Sequence, residues 1–376
     1  VRLQRLGLFD EVNIETPAVP NSPDQVDVNV SVTEASFGSL MASAGFAPGQ
    51  GIVLSASVNY NNFLGEGKRI STEINNSRAT TVYSFSYTNP YYTDNGVSRT
   101  LKAFYRSTDA RKISNVATYI ADIYGVGANY LIPLSEHDSL RAGADYQHSA
   151  YTATEETPTS YKNFLANYGS QFDIFTLTLG WQYDSRDRAI FATEGLSQTI
   201  DGEFSVPGSG YEYYKLSTRT QWHYPLGKRW TFMLRGEIGF GEGYGSQERQ
   251  NLPFFESFFA GGPGSVRGYE PNSLGPVEGD KTIGGALKVL AGTELTMPAD
   301  WFGENNKTFR LSLFVDAGNV YPTLEAFETG DIRLTYGLGA MWMSPIGPLT
   351  FSYAKPLNKQ VGDQFQSFQF SIGTFF

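Results

Sequence analysis

From residue 36 to the end of the chain, apolar and polar residues alternate in short runs. In 307–318 one face carries apolar side chains and the other carries polar ones, with Phe314 as the one large apolar residue on the polar face. Alternation with a period of two residues predicts a β-strand whose two faces meet different surroundings. The same pattern occurs in four further segments, 172–183, 211–224, 286–297 and 332–343.

Turns rich in Gly and Pro separate these runs, as in Pro48-Gly49-Gln50-Gly51 and Asp94-Asn95-Gly96. Gly and Pro are the strongest local markers of turns, so each cluster ends one strand and allows the next to begin. Counting the runs between turns gives sixteen candidate strands from residue 36 to residue 376. No helical stripe of useful length interrupts them.

Sixteen strands in one sheet have to curl, split into two packed sheets, or close on themselves. A sandwich would bury the apolar faces against each other, whereas a membrane barrel would turn them outward to lipid. Arg, Lys, Glu and Gln lie in mid-strand on the opposite face, as a wet lumen permits. Aromatic residues near strand ends favour the barrel, because they form girdles at membrane interfaces; they are Tyr91, Tyr92, Trp181, Tyr183, Trp222, Tyr224, Trp230 and Trp342. We therefore predict an all-β fold, a sixteen-stranded antiparallel transmembrane β-barrel over residues 35–376.

The composition of the chain argues against several kinds of functional site. The chain has no Cys and three widely spaced His, which argues against disulfides, thiolate sites and a His-built zinc site. Its formal net charge of −10 argues against nucleic-acid binding, which requires clustered Lys and Arg. No Ser/His/Asp arrangement suggests a hydrolase. We expect no enzyme activity, no catalytic residues, no metal and no cofactor.

Residues 1–34 have a different pattern from the barrel. Residues 2–9 resemble the end of an amphipathic helix, and 12–16 and 25–33 alternate as two short strands. So few residues cannot bury an independent core. We interpret 1–34 as the C-terminal part of a small α+β domain rather than a simple tail. The chain opens at Val1 without a recognisable signal peptide, so we expect a mature or truncated fragment.

One connection is much longer than the others. Residues 241–283, about forty residues, contain Gly264-Ser265-Val266-Arg267-Gly268-Tyr269. A phosphate cradle would require a strand–loop–helix context and a Gly-Lys-Ser/Thr sequence, and both are missing. The alternative is a loop folded into the lumen, where strand alternation also places Glu294 and Asp316. A guanidinium matches carboxylates with directional hydrogen bonds, although the three charges could also be unrelated.

The motifs along the chain resemble the BamA-type family of outer-membrane barrel-assembly and polypeptide-transport proteins, and within it the barrel-assembly members. The similarity rests on Val266-Arg267-Gly268-Tyr269 in a long late loop and on motifs that cover nearly the whole chain: Thr88-Asn89-Pro90, Asp184-Ser185-Arg186-Asp187-Arg188, Phe314-Val315-Asp316-Ala317-Gly318 and the terminal Phe368-Gln369-Phe370-Ser371-Ile372-Gly373. The resemblance implies that residues 1–34 end the last polypeptide-transport-associated (POTRA) domain. It also implies that Val266–Tyr269 packs inside the barrel, with Arg267 against Glu294 and Asp316.

The seam that closes the barrel is predicted to be its weakest contact. The first strand, 36–46, is rich in Ser, Ala and Gly, which are weak strand formers with little side chain to pack. Small residues there could instead ease packing against a lumen element, but the resemblance implies a gate that opens sideways. Its residues are Phe37, Gly38, Ser39, Leu40 and Met41 on the first strand, and Phe368, Phe370, Ile372, Gly373 and Phe376 on the last strand, 365–376.

These observations predict an outer-membrane insertase of Gram-negative bacteria. Client strands would pair with the edges of the opened seam, since unpaired backbone groups are costly in hydrocarbon. The resemblance implies as partners unfolded outer-membrane barrel proteins, outer-membrane lipids and lipopolysaccharide, accessory assembly lipoproteins bound through periplasmic POTRA domains, and periplasmic chaperones. The alternatives are a related polypeptide-translocating barrel, of the two-partner-secretion or TamA-like kind, and a passive porin. We expect a disulfide across the first and last strands, for example between Ser39 and a facing residue near Gln369, to block insertion. The sequence leaves the register of the seam open, so several pairs need testing.

Overall fold

The computed structural model describes residues 9–20, 25–34, 37–227, 229–245, 251–298, 308–345 and 347–373. In chain order its strands are β1 (Phe9–Glu15), β2 (Asn29–Glu34), β3 (Gly38–Ala47), β4 (Gly51–Phe63), β5 (Lys68–Ser77), β6 (Thr80–Asn89), β7 (Ser98–Asp109), β8 (Ile120–Pro133), β9 (Asp138–Thr152), β10 (Gln171–Asp184), β11 (Gly195–Ser205), β12 (Tyr213–Leu226), β13 (Trp230–Gly243), β14 (Gly268–Tyr269), β15 (Val277–Glu278), β16 (Lys281–Thr282), β17 (Leu287–Pro298), β18 (Phe309–Tyr321), β19 (Arg333–Ser344), β20 (Gly347–Pro356), β21 (Phe365–Gln366) and β22 (Phe368–Ile372).

Sixteen of these strands form one closed antiparallel barrel. They are β3 to β13, β17 to β20, and β22, and each pairs with its neighbour in the chain until β22 returns to β3. The remaining short strands form three two-stranded pairs: β1 with β2, β14 with β21, and β15 with β16. The predicted fold class and strand number are confirmed.

The alternating residues face the predicted directions. On β18, Leu313 and Val315 are exposed on the outside, whereas Phe314 and Asp316 are buried on the lumen side. On β19, Tyr336, Leu338 and Trp342 are exposed, and the intervening face is inward. Apolar side chains that remain exposed over a whole barrel wall require a lipid environment, because water would not support so large an apolar surface.

The chain alternates between the two ends of the barrel, and one end has longer connections than the other. The connection after β9 contains an α-helix, α1 (Thr159–Tyr168). Among the described residues, single-turn 3₁₀ helices span Ala110–Lys112, Phe254–Glu256 and Thr329–Asp331. The expectation of no useful helix was therefore wrong for α1. No helix among the described residues is both long enough and apolar enough to cross a membrane.

Contacts with residues far away in the chain help to hold α1 in place. The Glu278 carboxylate accepts hydrogen bonds from the backbone N–H groups of Thr159, at 2.6 Å, and Ser160. These are orphan donors of the first helical turn, so a residue 119 positions away supplies the cap. Tyr161 is buried and stacks on Phe254 of the long loop, with ring centroids 4.2 Å apart.

The N-terminal residues form only a small pair of strands. β1 and β2 are antiparallel, with Val12 opposite Val32 and Ile14 opposite Val30. The predicted strands 12–16 and 25–33 are thus present with shifted bounds. The helix end predicted over residues 2–9 lies outside the described residues, except for Phe9, which begins β1. The assignment of 1–34 to a POTRA domain stays a prediction.

Candidate functional site

The long connection between β13 and β17 folds back into the lumen. Val266 and Tyr269 are fully buried there, and they pack with Leu274 of the same connection. Leu290 of β17 and Val320 of β18 complete this apolar cluster on the barrel wall. The buried apolar side chains on both sides of Arg267 fix its position, so its guanidinium has little freedom to leave the lumen.

Arg267 contacts both carboxylates that strand alternation placed on the lumen face. Its Nε lies 2.7 Å from Oδ2 of Asp316, and its Nη2 donates to Oδ1 at 3.0 Å. Its Nη1 lies 2.9 Å from Oε2 of Glu294. The backbone N–H of Arg267 also donates to Asp316, whose side chain has no exposed area. This bidentate arrangement is stronger and more directional than a single ion pair.

Phe314 lies directly beneath the guanidinium. The Cζ atom of Arg267 is 3.3 Å from the centroid of the Phe314 ring. A cation over an aromatic face gains electrostatic attraction, and the ring also shields the ion pairs from water. The one apolar residue that broke the alternation of β18 therefore forms the floor of the arginine site.

Sequence reasoning missed Arg235 of β13. Its Nη2 donates to Oδ1 of Asp316 at 2.8 Å and to the carbonyl of Ser265 at 2.6 Å. Two guanidinium groups thus face two carboxylates, so the buried site carries no net formal charge. Alternation along β13, where Leu234 is exposed on the outside, would have placed Arg235 in the lumen.

The two residues after Arg267 attach the loop to the end of the chain. Gly268 and Tyr269 pair antiparallel with Gln366 and Phe365 as β14 and β21. The predicted last strand, 365–376, is therefore wrong in its first part: residues 365 and 366 pair with the inward loop, and the barrel strand β22 begins at Phe368. The loop takes this edge because Gly268, with φ +93°, lets its backbone approach β20 closely.

Across the seam, the described residues pair at one position, Phe46 with Ile372. The rings of Phe46 and Phe370 stack with centroids 4.9 Å apart. Gly45 sits so close that a Cβ there would be 2.8 Å from the carbonyl oxygen of Ile372. By comparison, β20 and β22 pair at five positions.

The gate residues of the first strand lie beyond this single pair. Gly38 to Met41 are all exposed, with Leu40 79% and Met41 56% accessible, and they pair with β4 on their other side. Phe37 precedes the strand, and its carbonyl accepts from Asn61 at 2.6 Å. On β22, Phe368 and Phe370 face outward, Gly373 follows the strand, and Phe376 lies outside the described residues.

The proposed disulfide between Ser39 and a residue near Gln369 does not fit this register. An antiparallel strand that pairs Phe46 with Ile372 places Gln369 level with Gly49, in the turn after β3. The sequence left this register open because register depends on contacts between distant segments, which periodicity does not specify. The expectation that a disulfide across the seam blocks insertion stays a prediction.

A turn at the other end of the lumen carries the Asp-Arg motif. Asp187 accepts from the backbone N–H of Thr193 at 2.7 Å and pairs with Arg188 at 2.9 Å. Burial acts to raise the pKa of Asp187, but hydrogen bonds from Thr193, Glu194 and Arg188 outweigh it and hold the pKa at about 2. The carboxylate stays ionised and fixes the turn, so its role here is structural.

Between this turn and the inward loop lies a cavity of about 850 Å³, lined by residues that include Arg235, Glu237, Arg267, Glu294 and Phe191. Several of its charged side chains are ion-paired, as in Arg219 with Glu237 at 3.3 Å. Among the described residues, no group of three or more His, Cys, Asp or Glu could hold a metal ion. The cavity is lined by both apolar side chains and paired charges.

Comparison with known proteins gives consistent matches. The model of the Omp85 superfamily domain matches residues 62–376. The chain is 34% identical to the outer membrane protein assembly factor BamA of Neisseria meningitidis serogroup B, over its whole length and 51% of that protein. It therefore spans about half the length of this relative.

The fold also resembles that of solved structures. The crystal structure of BamA from Haemophilus ducreyi lacking POTRA domains 1–3 has a TM-score of 0.89 at 30% identity, covering 98% of this chain and 76% of that chain. CdiB from Acinetobacter baumannii has a TM-score of 0.63 at 14% identity, covering 98% of this chain and 66% of that one. The second likeness concerns the fold alone.

Proposed function

The chain belongs to the Omp85 superfamily, and from this premise we propose that it is an insertase for outer-membrane β-barrel proteins. It is an integral outer-membrane protein, since it forms a sixteen-stranded barrel and its bacterial relatives are outer-membrane assembly factors. In the proposal the seam between β3 and β22 opens sideways, and a client strand pairs with the exposed edge. The name of the Neisseria relative, an assembly factor, supports this activity.

The observation that carries the proposal is the difference between the seam and the rest of the wall. β3 pairs with β4 at ten positions, but across the seam the described residues pair only at Phe46 and Ile372. Each backbone hydrogen bond left unmade in hydrocarbon costs several kcal/mol. A seam with so few paired positions between its described residues offers a client strand temporary partners without first breaking a long ladder.

The exposed side chains at the edge fit the same purpose. Leu40 and Met41 point to opposite faces of β3, yet both are exposed, so this strand has little packing on either face to hold it in place. Ser39 and Ser43 on the same strand are exposed as well. A strand with so little packing can shift at low cost, and we propose that it forms one side of the gate.

The remaining parts of the proposal concern the ends of the chain and the partners. We propose that residues 1–34 end a POTRA domain: β1 pairs with β2, and Val26, Val28, Val30 and Val32 are exposed as an uncovered apolar face. Unfolded barrel clients, outer-membrane lipids and lipopolysaccharide, assembly lipoproteins and periplasmic chaperones are the partners proposed from the family resemblance. Insertion makes and breaks no covalent bond, so the proposal requires no catalytic residue.

A polypeptide-translocating barrel is the second candidate, since the chain shares its fold with CdiB at a TM-score of 0.63. The two candidates differ in where the client passes: along the seam for an insertase, and through the lumen for a translocator. An experiment that closes the seam without filling the lumen separates them.

The test uses the full-length protein, whose barrel part has no native Cys to interfere. Phe46→Cys with Ile372→Cys joins the one observed seam pair. Ser55→Cys with Asn75→Cys joins paired residues of β4 and β5 and serves as the matched control. In proteoliposomes with an unfolded client barrel, oxidation of the seam pair is expected to lower insertion more than tenfold, roughly the effect of 1.4 kcal/mol or more on a barrier.

Reduction is expected to restore insertion, and the control disulfide is expected to leave it unchanged. Full insertion by the oxidised seam variant would remove lateral opening from the mechanism. It would then favour passage through the lumen.

A further inference from the structure

Gln369 is a polar residue in an unusual place. It lies on β22 opposite Ser352 of β20, with its side chain turned into the barrel and only 2% exposed. The flanking residues Phe368 and Phe370 face outward. A buried amide is costly unless its groups are hydrogen-bonded, so its partners indicate what holds it there.

Both ends of the amide bond to the inward loop. The Oε1 atom accepts from the backbone N–H of Gly268 at 3.2 Å, and the Nε2 atom donates to the carbonyl of Tyr269 at 2.6 Å. The two backbone groups belong to consecutive residues immediately after Arg267. A neutral side chain that donates and accepts at this reach is needed, and among common residues Gln provides it.

The loop segment is fixed from its other side at the same point. Arg267 is bound to Asp316 of β18 and Glu294 of β17, and the Tyr269 hydroxyl donates to the carbonyl of Asn358 at 3.1 Å. A Cβ at Gly268 would lie 2.9 Å from the Cβ of Ala354 on β20. The loop therefore spans the inner wall from β17 to β22, and Gln369 is its side-chain contact with the last barrel strand.

We propose that Gln369 is a positioning residue that couples the inward loop to the last strand of the seam. With both hydrogen bonds in place, the loop holds β22 in the register that pairs Ile372 with Phe46. When the loop moves away, β22 loses this support and the pairing of Ile372 with Phe46 weakens. The inference rests on the proposed function for its use in insertion, but the coupling itself is a property of the free protein.

The test measures amide hydrogen exchange by mass spectrometry on the full-length protein in lipid nanodiscs. Gln369→Leu keeps the approximate size and removes both hydrogen bonds. Ser371→Ala is the matched control, because Ser371 is also inward and buried on β22 but bonds Thr350 of β20 instead of the loop. Exchange in peptides that cover 262–270 and 363–373 is expected to rise about tenfold in Gln369→Leu and to stay at the wild-type rate in Ser371→Ala.

The second readout is the seam itself. In the background of Phe46→Cys and Ile372→Cys, Gln369→Leu is expected to slow disulfide formation, because the two cysteines no longer face each other steadily. Unchanged exchange in the loop, or faster exchange with unchanged seam crosslinking, would overturn the coupling whatever the insertion rate. If both readouts change but client insertion stays at the wild-type rate, the coupling stands and the proposed function fails.

Gln369→Glu keeps the test decisive if the Leu variant does not fold. A carboxylate of the same length still accepts from Gly268, but it has no donor for the carbonyl of Tyr269. Exchange in both peptides is expected to be faster than in the wild type, because the carboxylate faces the Tyr269 carbonyl without a hydrogen to donate. Wild-type exchange in Gln369→Glu would overturn the inference.

Discussion

At the scale of single residues, the arginine site shows how a charged group is kept inside a barrel. Arg267 is bound by two carboxylates and covered by the Phe314 ring, and Arg235 shares Asp316 with it. The desolvation cost of a buried ion pair is repaid only when its geometry is good and its remaining donors are satisfied. Removing one partner therefore costs more than the pair contributes, because the other partners stay behind.

Arg267→Ala is expected to lower the free energy of unfolding by about 3–5 kcal/mol, since Asp316 would keep Arg235 but Glu294 would lose the cation with which it is paired among the described residues. The temperature at which the folded band disappears in heat-modifiability gels measures this change. Arg267→Lys keeps the charge without the bidentate fork and is expected to fall between the wild type and Ala.

The comparison variant is Arg111→Ala, which breaks the exposed pair with Asp109 and is expected to change stability by no more than about 1 kcal/mol. Equal heat resistance of Arg267→Ala and the wild type would show that the site does not hold the loop.

At the scale of elements, the inward loop acts as an additional layer inside the wall. Its segment at Gly268 and Tyr269 pairs with residues 365 and 366, and it takes from β22 two residues that alternation had assigned to the barrel. This exchange requires a close backbone approach, which only a residue without a Cβ permits at a φ of +93°.

Gly268→Ala and Gly279→Ala separate two effects of adding a side chain to the loop: backbone strain at a positive φ, and steric overlap with the barrel wall. Both glycines have positive φ, +93° and +68°, but an added Cβ at Gly279 meets no atom within 4 Å, whereas at Gly268 it meets Ala354. Each substitution destabilises the loop by about 1–2 kcal/mol, because a residue with a Cβ is strained in a left-handed backbone. Gly268→Ala also overpacks against Ala354, which adds about 1–3 kcal/mol.

Limited proteolysis of the loop in the two variants measures this difference. We expect Gly268→Ala to be cut faster than Gly279→Ala. Equal cutting would mean that the loop does not press against β20.

At the scale of the whole molecule, the long-loop end of the lumen is filled by aromatic side chains. The buried cluster joins inward residues of β8, β9 and β10 to α1 and the long loop; it includes Ala121, Ile123, Tyr151, Tyr161, Phe172, Ile174, Tyr211 and Phe254. Tyr161 links the parts, since its ring stacks on Phe254 and its hydroxyl donates to the carbonyl of Ile283 at 2.7 Å. A passive porin would need this space open to water.

Tyr161→Ala is expected to raise ion conductance in planar bilayers. Truncating a buried aromatic residue to Ala lowers stability by about 3–5 kcal/mol and would loosen the buried aromatic cluster that fills this end of the lumen. Tyr336→Ala, which truncates an exposed aromatic on the outer face of β19, is the control and is expected to conduct like the wild type. A steady, large conductance in the wild type would favour the porin alternative.

The sequence by itself determined which side of each strand meets lipid and which meets the lumen, because the alternation of side chains is a local property of an extended backbone. From that alternation it predicted a barrel and placed Glu294 and Asp316 on the lumen face. The family resemblance implied that Arg267 packs against them, and the structure has the three residues in contact.

Only the tertiary structure decided the seam register at Phe46 and Ile372, the loss of residues 365 and 366 to the loop, and the helix α1 with its cap from Glu278. Each of these depends on segments far apart in the chain that compete for the same backbone groups. The outcome is set by packing and hydrogen bonding in the assembled barrel, which periodicity along the chain does not encode.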